Sequence, residues 1–296
     1  MKMKHALLGL MCFLLVSCSS TEGDSKNSEI IDSSPKIIIP VVPKSMKFAD
    51  QQIEFNNFDV RERLDKELIV NTYYHSSTVQ AMKRASRFFP LIEDILKQQG
   101  IPTDFKYLCL IESNLLQATS PSGAKGFWQF MPETAMEYGL EINDYVDERL
   151  HIEKSTLAAC DYLNAAYEEF GDWMLTAAAY NKGTGGIKRD LENQKVKNYF
   201  DLHLNTETSR YVFRILAMKL IFESPANYGF ELSGTDLYSP IPYKKLKCTE
   251  SINSLSDWAQ DNGTNLRMLK VLNPWILNNS LPIKNDTVTI LIPTGE

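Results

Sequence analysis

The chain has 296 residues, 44% apolar and 23% charged, with a formal net charge of −6. That is the balance of a soluble globular protein with room for one large domain or two unequal ones. No run of Lys or Arg is dense enough to follow a phosphate backbone, which argues against nucleic acid as a partner. The four His and five Cys are scattered without CxxC or HxxxH spacing, which argues against a metal site.

The N-terminus opens with basic "MKMKH" and continues with the apolar run "ALLGLMCFLLVS". About a dozen apolar residues are too few to span a bilayer but suit a signal-peptide core. The run ends in "LVSC", from Leu15 to Cys18, and turns at once to "SSTEGDSKNSE". This resembles the bacterial lipobox, which implies cleavage before Cys18 and lipidation of its sulfur. An ordinary signal followed by an incidental Cys is the alternative. Lipid chains would hold the protein on a membrane surface without spanning it. Cys12 would leave with the part of the signal segment, residues 1–18, that precedes Cys18. Of the thiols that remain, Cys109 and Cys160 sit in apolar helical patterns and are expected to be small core residues.

Residues 19–48, rich in Ser, Lys and Pro, show no helical period and read as a flexible linker. From about 50 to 232 the pattern is helical and strand signals are nearly absent. Val79, Met82, Ala85, Phe89, Ile92 and Ile95–Leu96 recur at three-and-four spacing, and Gly100 and Pro102 end that run. Asp104 is placed to cap the next helix, "DFKYLCLIESNL". Further helices are expected at 132–139, 153–170, 172–181 and 207–223, the third of this set ending in the Gly-rich "KGTGG". From about 240 the texture changes to a strand, two short helices and a closing strand.

In "DFKYLCLIESNL", Phe105, Leu108, Cys109 and Glu112 fall at i, i+3, i+4 and i+7 and share one helix face. Tyr107, Leu110 and Ile111 are apolar too, so the helix is expected to be buried nearly all round. A carboxylate at its end would be partly desolvated, and burial raises its pKa. Such an acid holds its proton near neutral pH and can donate it. The spacing suits equally a Glu that only binds backbone or an Arg at a helix end.

Four motifs then follow in order: Glu112-Ser113, Gly126-Phe127-Trp128-Gln129, Ala179-Tyr180-Asn181, and Tyr211 within "ETSRYV". Over residues 85–225 they resemble the lysozyme-like lytic transglycosylases of the glycoside hydrolase family 23 type, in particular the membrane-bound kind with C-terminal LysM modules. Two departures are visible. Phe127 replaces the family's usual Leu, and His151 stands where an Asp is common. The resemblance implies a mainly α fold: a lysozyme-like helical catalytic domain over 49–235 and a small βααβ LysM-like module over 240–296.

It also implies cleavage of the peptidoglycan glycan strand between N-acetylmuramic acid and N-acetylglucosamine. Ordinary glycosidases use two carboxylates. In a transglycosylase the sugar's own 6-hydroxyl attacks, so a single Glu112 would serve as acid and then base, and a 1,6-anhydro sugar results. By the same resemblance Ser113 steadies the acid or its loop. Ser120 and Ser122 offer hydroxyls to the N-acetyl group, or form a plain Ser-Pro-Ser turn. Gln129 bonds sugar or orients Glu112. Tyr180 and Asn181 end a helix at the cleft, where Asn181 also suits a C-cap, and Tyr211 bonds the Glu112 carboxyl or packs as a core Tyr. Phe127, Trp128 and Phe130 are expected in the core. Asp144, Asp147 and Glu148 are expected to be solvated, and Glu133 to sit in a helix's first turn, so no second catalytic carboxylate stands out.

In the C-terminal segment Leu255, Ala259, Gly263, Leu266, Leu269, "LNP" and "LIP" resemble a diverged LysM skeleton, with "TESI" in place of the usual "GDTL". It is either a glycan binder or a structural cap. Three functions compete: a lytic transglycosylase, a hydrolytic muramidase of the same fold, and a non-catalytic glycan-binding lipoprotein. The transglycosylase reading implies no cofactor, peptidoglycan strands as partner, a monomer, and lipid anchoring at Cys18, by family default in the outer membrane facing the periplasm.

Overall fold

The computed structural model describes residues 37–284 and 287–294. The signal segment and Cys18 lie outside the described residues. None of the described helices is long and apolar enough to cross a membrane.

The folded body begins earlier than expected. β1 (Ser45–Phe48) pairs antiparallel with β2 (Gln51–Glu54) through a tight turn in which Ala49 and Asp50 both have positive φ. Met46 and Phe48 are buried, and the Phe48 ring meets Phe105 at 5.5 Å. Four-residue strands carry too few positions for an alternation to be visible, so this part of the expected linker read as structureless.

Asn57 then caps α1 (Phe58–Tyr73), its side chain accepting from the Asp59 N–H. The helix expected over 79–96 is α2 (His75–Gln98). Asp104 does not cap a helix. Pro102 instead leads into a single 3-10 turn, Thr103–Phe105, and α3 (Lys106–Ser113) starts after it. The Asp104 carboxylate accepts from the Ala49 N–H at 2.8 Å and from the Lys219 ammonium at 2.6 Å, tying the hairpin to the helix bundle. A local cap signal lost here to two partners far away in the chain.

α4 (Pro132–Glu137), α5 (Ile152–Phe170) and α6 (Trp173–Lys182) lie close to their expected bounds. His151 does the work of the family's capping Asp: its Nδ1 accepts from the Lys154 N–H at 3.4 Å. The Gly-rich "KGTGG" is only partly a terminator. Gly183, at φ 82°, ends α6, but Gly185 and Gly186 lie inside α7 (Thr184–Gln194). α8 (Thr206–Glu223) is the central helix, with Tyr211, Val212, Phe213, Ile215, Leu216 and Ala217 all buried. It packs on α1, α3 and α6. Cys109 and Cys160 are buried free thiols, as expected of core residues, and Cys248 is buried and free as well.

The C-terminal segment forms β3 (Tyr243–Cys248), α9 (Leu255–Asp261), α10 (Leu266–Leu272) and β4 (Val288–Pro293), with β3 and β4 antiparallel and Tyr243 opposite Pro293. Leu255, Ala259, Leu269, Ile276 and Ile290 make its own small core. Asn273, fully buried, locks α10 to β4: its side chain donates to the Leu291 carbonyl and accepts from the Leu291 N–H.

Candidate active site

Glu112 lies in the last turn of α3. The helix stops one residue later because Asn114 and Leu115 both adopt left-handed backbone, φ 54° each, and turn the chain away. Leu108 and Cys109 below it are fully buried, while Glu112 itself keeps partial exposure. The Tyr211 hydroxyl, on the buried face of α8, donates to Glu112 Oε1. Arg214, one turn further along α8, donates to the Ile111 carbonyl at 2.9 Å rather than to the carboxylate.

These neighbours set the proton affinity of Glu112. Burial dominates and raises its pKa. The Tyr211 bond and the Arg214 charge pull it back, the Glu207 charge pushes it up again, and it comes to rest at about 7. Burial, reinforced by the Glu112 charge, also holds the phenols of Tyr211 and Tyr180 well above their ordinary value, so both remain hydrogen-bond donors.

The loop from Ala118 to Phe130 folds back on α3. Ser113 is buried, and its hydroxyl donates to the Phe127 carbonyl at 2.8 Å, so it anchors the loop and does not face the solvent. Ser120 and Ser122 bond each other at 3.0 Å, and Ser120 Oγ also accepts from the Ala124 N–H, which is the turn alternative in concrete form. Gln129, held at φ 50°, spends its amide on the Ala118 and Gly126 carbonyls at 3.1 and 2.8 Å and makes no bond to Glu112. Phe127, Trp128 and Phe130 are core residues, at most 4% exposed.

Asp147 and Glu148 are not solvated, contrary to expectation. They are 1% and 5% exposed. Asp147 accepts from both arms of Arg149, at 2.9 and 2.8 Å, and from Lys125 at 3.1 Å. Burial alone would raise its pKa, but these bonds overrule it and hold the carboxyl below its ordinary value. Glu148 pairs with Lys154. A run of three charges reads as a solvated loop unless the sequence reveals which charges face each other, and these face inward.

Tyr180 donates to the Trp128 carbonyl at 2.8 Å and so ties α6 to the loop. Asn181 is not a C-cap, since α6 runs on to Lys182. Its side chain instead donates to Glu207 at 2.9 Å and accepts from the Thr208 hydroxyl at 2.8 Å. A cavity of about 350 Å³ adjoins this side, lined by Ile111, Asn114, Glu207, Arg210 and Arg214 among others. Sequence reading missed Glu207, Arg214 and Arg149. The first two stand in and just after the "ETSRYV" motif, four and three residues from Tyr211, so helical spacing from Tyr211 was the signal that points to them. Among the described residues no group of three or more His, Cys, Asp and Glu could hold a metal ion.

The family profile described as a transglycosylase SLT domain matches residues 90–202. The profile described as a soluble lytic transglycosylase C-terminal LysM-like domain matches residues 244–296. Membrane-bound lytic murein transglycosylase D of Escherichia coli K12 is 30% identical over 231 residues, covering 76% of this chain and 50% of that protein. A proposed tributyltin chloride resistance protein of Alteromonas sp. strain M-1 is 30% identical over 193 residues, covering 64% of this chain and 92% of that protein. The crystal structure of the 70 kDa soluble lytic transglycosylase of Escherichia coli superposes with a TM-score of 0.41 at 20% identity, covering 63% of this chain and 34% of that one. The chain spans about half the length of the murein transglycosylases it matches.

Proposed function

The chain belongs to the transglycosylase SLT family and carries that family's LysM-like C-terminal domain, and on that premise we propose that it is a peptidoglycan lytic transglycosylase with Glu112 as its acid and base. The observation that carries the assignment is the carboxyl of Glu112, half sunk at the end of α3, bonded by Tyr211 and raised to a pKa of about 7.

In the proposed reaction Glu112 donates its proton to the glycosidic oxygen as the bond from C1 of N-acetylmuramic acid to that oxygen breaks. The resulting carboxylate then takes the proton of the same sugar's 6-hydroxyl as O6 closes on C1. One bond breaks, one forms, and the proton returns to Glu112, so no water is consumed. Tyr211 stays protonated throughout and steadies both forms of the carboxyl. Ser113, Gln129 and Tyr180 act by holding the loop and helix around the acid, and Ser120, Ser122 and Asn181 are assigned to the substrate side.

One observation favours the muramidase reading: Glu207 is a second carboxylate whose charge reaches Glu112, and such a group can orient a water. Digestion of purified peptidoglycan followed by mass measurement of the fragments decides. Anhydro ends are expected. Reducing ends would transfer the function to hydrolysis, and intact strands would leave only binding. Glu112→Gln should lower fragment release by at least about 10³-fold while strand binding persists; release near the wild-type rate would remove Glu112 as the acid. For the remainder of the chain we assign lipid attachment at Cys18, outer-membrane residence facing the periplasm, a monomeric state, and glycan contact by the LysM-like module.

A further inference from the structure

The C-terminal module is not hung on a loose tether. The connection that leads to it is strapped to α2: the Tyr238 N–H donates to the Lys83 carbonyl at 3.2 Å, and Arg87 donates to the Ser239 carbonyl at 2.9 Å. The module then docks edge-on against residues 144–147. The Asp147 N–H donates to the Trp275 carbonyl at 2.9 Å, and the Leu277 N–H donates to the Tyr145 carbonyl at 2.8 Å. Val146 bridges Ile276 and is a member of the module's own core. The Trp275 ring, 5% exposed, lies 5.5 Å from the ring of His151.

The docked edge is continuous with the catalytic loop. Asp147, bound to the module through its backbone, holds Arg149 through its side chain. Arg149 is 4% exposed and donates to the Gly123 and Phe130 carbonyls, at 2.9 and 3.2 Å, so it clasps both limbs of the loop. Its own carbonyl leaves Gly126 no room for a Cβ. The loop's Phe127 carbonyl takes the Ser113 hydroxyl, one residue beyond Glu112. A buried ion pair with this many fixed partners has one low-energy geometry. A module that served only as a glycan tether would need none of this, because a flexible linker already raises local concentration.

We propose that the C-terminal module positions the 118–130 loop beside Glu112, with Arg149 as the positioning residue that carries its contact inward. The catalytic part of this inference rests on reading Glu112 as the proton donor. The coupling itself does not.

The test uses the full chain carrying Trp275→Ala, Trp275→Phe, Arg149→Lys or the control Lys97→Ala, an exposed position near the end of α2. Three quantities are read: amide hydrogen exchange in peptides spanning 118–130, turnover at saturating peptidoglycan, and pelleting with peptidoglycan sacculi. In Trp275→Ala, exchange across 118–130 should quicken by about 10-fold or more. Turnover should fall by about 10- to 100-fold, with pelleting within about two-fold of wild type. Trp275→Phe should restore most of both losses. Arg149→Lys should reproduce them while exchange in peptides from 243–293 stays unchanged, and Lys97→Ala should change nothing. Unchanged exchange across 118–130 in Trp275→Ala would overturn the coupling, as would turnover intact with pelleting lost, the signature of a plain tether. Should the wild-type chain release no fragments, the enzymatic assignment fails, and the exchange data still decide whether the module holds the loop.

Discussion

Glu112 is held by opposing forces on a single proton, and the balance has a measurable cost. Its pKa rests at about 7 against an ordinary 4.5, mainly because burial disfavours the carboxylate. The folded protein therefore binds more protons at this site than the unfolded chain between those two values. The linked stability is fully present below pH 4.5 and is lost as pH rises through 7. Glu112→Gln keeps an acceptor for Tyr211 and cannot ionise. It should therefore stabilise the protein by about 1–3 kcal/mol at pH 8, with the gain shrinking towards zero as pH approaches 4.5. Denaturant unfolding at two pH values measures this, and a variant no more stable than wild type at pH 8 would contradict the assigned burial. Activity follows the same titration: the rate should decline as pH passes 7 and the donor loses its proton. Glu112 was legible in the sequence because an acid at the end of an apolar helical stripe is conspicuous. The way Ser113 and Asn181 spend their side chains was not legible, since each bonds a group from another segment, and Gln129 turns its amide back on its own loop.

At the scale of elements, the site is made by the close approach of two loops. Gly126 has φ 79°, and a Cβ there would lie 1.9 Å from the Arg149 carbonyl oxygen. Neither the backbone angle nor the neighbour tolerates a side chain. Gly126→Ala should cost about 3 kcal/mol or more in denaturant unfolding and should lower turnover, because the loop can accommodate the methyl only by moving off Arg149. Stability within about 0.5 kcal/mol of wild type would show the approach to be looser. The helices themselves were largely readable, since three-and-four spacing survives wherever a face is buried. The errors fell where local and tertiary preferences diverge: Asp104 left its cap for Ala49 and Lys219, the glycines of "KGTGG" entered α7, and the short β1–β2 hairpin carried no periodic signal.

For the whole molecule, lipid attachment at Cys18 predicts that Cys18→Ala releases the chain from the membrane fraction into the soluble fraction of the cell envelope, with peptidoglycan cleavage retained by the released protein. Continued membrane retention of the variant would count against the lipobox. The linker expected over 19–48 overlaps the folded body at its end, because buried structure already starts at Val42 and Met46. The body beyond has two cores, one in the helical domain and one in the C-terminal module, and they meet where Val146 enters the second.

The sequence by itself determined the helical class, the two-part organisation, the βααβ order of the C-terminal module and the place of one acid among apolar neighbours. Each of these depends on local periodicity or on motif order. Only the tertiary structure decided that Asp147 and Arg149 turn inward, that Glu207 stands within electrostatic reach of Glu112, and that the module leans on the loop beside the acid. These depend on which groups meet across the chain, from Lys125 and Asp147, 22 residues apart, to Glu112 and Tyr211, 99 apart, and a buried charge is stable only where the fold supplies its partner.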